Sequence, residues 1–124
     1  MSNILQNHYV LAVHNMRDSA RFYVDMLGFE VTAEPPGWIF VSKDHVTIML
    51  GECPDDMHAS ELGCHNYFAY LCVDDVDAWH NRLQSRGVEM LSPVADKPWG
   101  MREFGIRTPD GHRIMFGQRG DGPR

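Results

Sequence analysis

The sequence predicts an α+β protein in which one strand–helix–strand–strand–strand unit is written twice. Three observations carry that prediction. The segment "TIMLGE" (47–52) returns almost unchanged as "RIMFGQ" (113–118). "HYVLAVHNM" (8–16) aligns with "FAYLCVDDV" (68–76) at a shift of 60, each an apolar run that ends in polar residues. Gly28 and Gly87 close two helical patterns at a shift of 59, so the register holds to within one residue. Such self-similarity marks a duplicated supersecondary unit.

The elements follow in order. An apolar first strand ends near Val13, and Phe22, Tyr23, Met26 and Leu27 then recur at helical spacings of three and four, with Gly28 as the stop. Extended runs follow in "FEVTAE", "GWIFVS" and "VTIMLGE", the last two separated by the turn "KDH". The acidic stretch "ECPDDMHASELG" (52–63) joins the copies. In the second copy Asp74 and Asp75 cap a helix marked by Val76, Trp79 and Leu83, and Gly87 stops it. The strands "VEMLSPV", "MREFGIR" and "HRIMFGQ" complete it, with "TPDGH" as the turn. The expected organisation is a single domain over 1–124, with modules at about 6–52 and 64–118 and a flexible tail at 119–124.

A sheet built this way covers one face with its helix and leaves the other open. Two such sheets side by side are expected to curl into a cup. Strand alternation assigns the faces. Tyr9, Leu11, Val13, Ile48 and Leu50 should meet the first helix; Ala69, Leu71, Val73, Phe104, Ile106, Ile114 and Phe116 the second. That leaves His8, Val10, Ala12, Thr47 and Met49 in the cup, with Phe68, Tyr70, Cys72, Glu103, Gly105, Arg107, Arg113 and Met115 from the second copy.

Composition narrows the function. With 124 residues, 44% hydrophobic and 23% charged, the chain can bury a core without staples. The apolar runs "YVLAV" and "FAYLCV" are too short to span a bilayer, and no signal peptide is visible at the N-terminus. The net charge of −6 argues against nucleic acid and anionic membranes as partners. Cys53, Cys64 and Cys72 form no CxxC pair and read as free thiols in a reducing cytoplasm. The tripeptide "RGD" (119–121) reads as a chance match in the tail.

The segments "SARFYVDMLGFEV", "VDDVDAWHNRLQSRGVEM" and "PWGMREFGIRTPDGHRIMFGQ" resemble the vicinal oxygen chelate superfamily, over roughly residues 6–118. That group holds glyoxalases, bleomycin-resistance proteins and extradiol dioxygenases. The resemblance implies paired βαβββ modules and a homodimer. It also implies that a metal, where present, is held at four cup positions, here His8, Met49, Phe68 and Met115. One imidazole, two thioethers and a phenyl ring lack the N and O donors that a divalent cation needs. The chain is therefore expected to carry no metal and no other cofactor, in the character of the bleomycin-resistance branch.

The expected ligand is a small aromatic or cationic compound, sequestered rather than transformed. Its candidate contacts are His8, Trp38, Phe40, Met49, Phe68, Tyr70, Trp99, Glu103, Arg113 and Met115. Methionine adapts to irregular apolar ligands as readily as to irregular core gaps. Glu103 is the one acid that alternation puts in the cup. Its first expectation is a salt bridge to Arg107 or Arg113; its second is a ligand cation, or a role as general base beside His8. The alternative function is a metal-dependent lyase, isomerase or dioxygenase of the same superfamily. No catalytic residue is assigned.

Overall fold

The computed structural model describes residues 2–120. Both expected units are present. The first runs β1 (Tyr9–Val13), α1 (Met16–Leu27), β2 (Glu30–Ala33), β3 (Trp38–Lys43) and β4 (Val46–Glu52). The second runs β5 (Tyr67–Cys72), α2 (Val76–Ser85), β6 (Glu89–Asp96), β7 (Met101–Arg107) and β8 (Arg113–Arg119). The chain divides into two compact units between His58 and Ala59, inside the joining segment. That segment is not all loop: Ala59–Asn66 winds into a 3-10 stretch kinked at Gly63, whose φ of 62° favours glycine. The expected tail at 119–124 starts too early, because Arg119 is the last residue of β8; residues 121–124, with Asp121 of the "RGD" tripeptide, lie outside the described residues.

Each unit is one four-stranded mixed sheet, ordered β1-β4-β3-β2 and β5-β8-β7-β6. The first strand of each unit pairs parallel with the last, and the remaining pairs are antiparallel. In the first unit Leu11, Val13, Ile39, Val41, Ile48 and Leu50 are buried, as are Tyr23 and Leu27 of α1. In the second, Phe104, Ile106, Ile114, Phe116, Val76 and Leu83 are each 0% exposed. Two-residue periodicity on the strands and four-residue spacing on α1 produce this partition.

The repeat also explains how each helix starts. Glu52 Oε1 accepts from the Met16 backbone N–H at 3.0 Å, and Gln118 Oε1 accepts from the Val76 backbone N–H at 3.0 Å. Glu52 and Gln118 occupy the same place in the duplicated motif, and Met16 and Val76 are the first residues of their helices. Each unit's last strand thus satisfies an orphan donor at its own helix N-terminus. Asn15 caps α1 by accepting from the N–H groups of Arg17 and Asp18, and Asp75 caps α2 by accepting from Ala78. Gly28 ends α1 in the left-handed region at φ 79°, whereas α2 ends at Ser85 and Gly87, at φ 80°, turns the chain two residues later.

Candidate functional site

The open face of the second sheet consists of three rows of facing residues, read across β5, β8, β7 and β6. One row is Tyr67, Arg113, Arg107 and Glu89. The next is Tyr70, Met115, Gly105 and Ser92. The third is Cys72, Gly117, Glu103 and Ala95. The rows run from basic, through thioether, to acidic.

Glu103 is 6% exposed. Its Oε2 accepts from the Tyr70 hydroxyl at 2.6 Å and from the Trp99 indole N–H at 3.4 Å. Tyr70 sits on β5 and Glu103 on β7, so the phenol must cross β8. It crosses at Gly117, where a Cβ would overlap the Tyr70 hydroxyl. The Tyr70 residue is 40% exposed, yet its hydroxyl tip sinks to the sheet. Burial, and after it the hydrogen bond to the Glu103 carboxylate, push the phenol far above its ordinary pKa, so the proton stays on Tyr70. Met115 lies over Gly105 in the same manner: a Cβ there would stand 2.8 Å from its Sδ.

The expected salt bridge from Glu103 to Arg107 or Arg113 is not formed. Arg107 instead faces Glu89 at 3.7 Å and donates to the Gly111 carbonyl at 2.8 Å. Arg113 packs over the Tyr67 ring at 4.8 Å. The reason is distance along the strand: Glu103 and Arg107 are two rows apart, roughly 13 Å, and Arg113 shares the row of Arg107.

Alternation also breaks at the start of β5. Tyr67 pairs with Arg113 and Ala69 with Ile114, so Phe68 is an extra residue in a bulge. Its ring meets the His112 ring edge-on at 5.7 Å. The residue beside Arg113 is therefore Tyr67, one position away from the expected Phe68. Nothing in a single apolar run announces such a bulge.

The first sheet's open face has the same plan and different chemistry. Val10, Met49 and Phe40 form one row, and Ala12, Gly51 and Trp38 another. Trp38 lies against Gly51, where a Cβ would stand 2.9 Å from its ring, as Tyr70 lies against Gly117. Where the second sheet has Arg113 and Arg107, the first has Thr47 and Ser42, hydrogen-bonded to each other at 2.9 Å. Val10, Ala12, Trp38 and Gly51 line an apolar groove of about 430 Å³. His8 is exposed and precedes β1, so it stands apart from these rows.

The four positions that resemblance assigns to a metal carry one imidazole, two thioethers and a phenyl ring, a donor set that does not suit a divalent cation. They hold His8 outside the strand, two thioethers, and Phe68 against His112. Among the described residues no group of three or more His, Cys, Asp or Glu side chains is placed to hold an ion.

The paired glycines, which the sequence reading did not single out, were visible in it: Gly51 and Gly117 stand at the same place in "TIMLGE" and "RIMFGQ". They lead to a direct expectation. Gly117→Ala should displace Tyr70 from Glu103 and cost about 1–3 kcal/mol of stability, the usual range for overfilling a packed site. Urea unfolding measures it. A change under about 0.5 kcal/mol would mean that Tyr70 does not lie across β8.

Relatives share this architecture. The bleomycin resistance protein of Geobacillus stearothermophilus is 26% identical, over 94% of this chain and 98% of its own. The bleomycin-binding protein of Streptomyces verticillus, crystallised with copper(II)-bleomycin, superposes with a TM-score of 0.74 at 25% identity, over 98% of this chain and all of that one (100%). TnmS3, an antibiotic binding protein from Streptomyces sp. CB03234, superposes with a TM-score of 0.71 at 29% identity, over 94% and 99%. Residues 5–116 match the Glyoxalase/Bleomycin resistance protein/Dioxygenase superfamily, and the chain belongs to that superfamily.

Proposed function

We propose that this protein binds a small organic cation with an aromatic body, at Glu103 on the open face of its second module. The observation that carries the reading is the state of that carboxylate. It is buried, it is held by Tyr70 and Trp99, and among the described residues no lysine, arginine or histidine pairs with it. Two neutral donors orient a carboxylate without cancelling its charge, and a buried charge left unpaired is costly. A ligand ammonium or amidinium removes that cost and gains a charge-assisted hydrogen bond. Tyr70, Met115 and Trp99 supply apolar surface around it.

The names of the relatives support binding of an antibiotic-like molecule, and sequestration requires only a site that takes the molecule out of solution. In this reading the protein acts without a metal, in the cytoplasm. Titration calorimetry with p-phenylbenzylamine and its neutral analogue p-phenylbenzyl alcohol tests the claim. The amine should bind at least about tenfold more tightly, since each ~1.4 kcal/mol is a factor of ten. Equal affinities would remove the acid from the reading.

The superfamily resemblance also leads us to propose a symmetric homodimer. Sedimentation equilibrium at micromolar concentration should give twice the 14.2 kDa chain mass; a monomer would count against it.

A further inference from the structure

We infer that the second module's open face recognises a dipolar ligand, one whose cationic end meets Glu103 and whose anionic end, a carboxylate or group of similar charge, meets Arg113. This rests on the cation site proposed above and extends it to the other end of the same sheet.

Arg113 and Arg107 face each other directly across β8 and β7. Like charges in that position repel. The row holds one acid, Glu89, which is mostly exposed and sits 3.7 Å from Arg107. Arg107 also donates to Gly111. Among the described residues Arg113 has neither kind of partner: its guanidinium stacks on Tyr67, and its Nε is buried with no acceptor. Arg102, by contrast, is held by both Asp77 at 2.9 Å and Asp96 at 3.3 Å. Arginine that serves only structure is commonly paired in that way.

Stacking on an aromatic ring fixes the plane of a guanidinium and leaves its edge donors to a ligand. A carboxylate there would neutralise the surplus charge of the row and accept from a planar, pre-oriented donor set. Between the two ends lie Met115 and Gly105, two rows' worth of chain or roughly 13 Å from Glu103 to Arg107. Gly105 lacks a side chain, and Met115 covers it with a thioether. The face is therefore graded as acid, apolar, base, and fits a rigid zwitterion with its charges at opposite ends.

Four probes share one rigid biphenyl body: p-phenylbenzylamine, p-phenylbenzyl alcohol, p-phenylbenzoate and the zwitterion that carries aminomethyl and carboxylate groups at its two ends. Calorimetry on the full chain should show the zwitterion binding about tenfold or more tighter than the amine alone. Arg113→Gln should reduce the zwitterion to the affinity of the amine and leave the amine within twofold. Arg113→Lys keeps a charge over Tyr67 but loses the planar fork, so it should retain only part of the preference; it also serves if the glutamine variant fails to fold. Equal affinity of zwitterion and amine in the parent protein, or a preference that Arg113→Gln leaves intact, overturns the inference. If in either case the amine still depends on Glu103, the cation site stands and the basic end alone is wrong. If no probe responds to Glu103→Gln, the cation site itself has failed and the inference falls with it.

Discussion

Phe116→Ala is expected to destabilise the protein by about 3–5 kcal/mol, the range for truncating a buried phenylalanine. Phe116 is 0% exposed and stacks on Phe104 at 5.0 Å with their planes 2° apart. Trp79 of α2 packs on it at 5.3 Å. One side chain thus joins β8, β7 and the helix, and its removal leaves a cavity that three rigid elements cannot close. Part of that loss is the transfer of apolar surface and part is the void. Urea unfolding followed by tryptophan fluorescence reads the change as a lower midpoint at unchanged slope. A loss below about 1 kcal/mol would show that the helix-facing side of the second sheet is not the core described. Phe116 also sits between Met115 and Gly117, so the open face rests on this packing.

The fold was legible because its signals are local and repeated. "TIMLGE" and "RIMFGQ" place a strand with the same faces in each unit, and Gly28 marks the end of α1 where the chain needs a left-handed residue. Alternation correctly put Phe104, whose ring meets His80 of α2, on the helix side and Glu103, which meets Tyr70, on the other. The site was less legible, because its contacts are not local. Tyr70 reaches Glu103 over an intervening strand, and only the missing side chain of Gly117 permits it. Charge pairing suggested Arg107 or Arg113 for Glu103, but register keeps them two rows away. The bulge at Phe68 shifts Tyr67 beside Arg113, and a two-residue period carries no trace of an added residue. Asn15 is a common type of cap that the reading of the first helix passed over.

The second large effect concerns the ligand. Glu103→Gln should weaken p-phenylbenzylamine by roughly ten- to a hundredfold, since a charge-assisted hydrogen bond contributes ~1.5–3 kcal/mol. Glutamine keeps the shape, and its amide oxygen can still accept from Tyr70 and Trp99, so the sheet should remain folded. Binding of p-phenylbenzyl alcohol should change little, because an alcohol brings no charge to the carboxylate. The same cause predicts a dependence on ionic strength that is weak in comparison with a surface ion pair, as Glu103 is 6% exposed.

These four affinities, parent protein and Glu103→Gln against amine and alcohol, form one double-mutant cycle and isolate the pairwise term between carboxylate and ammonium. The predicted coupling is about 1.5–3 kcal/mol. A coupling near zero, with both ligands weakened alike, would show that Glu103 supports the wall of the site without meeting the ligand's charge, and would contradict the proposed function.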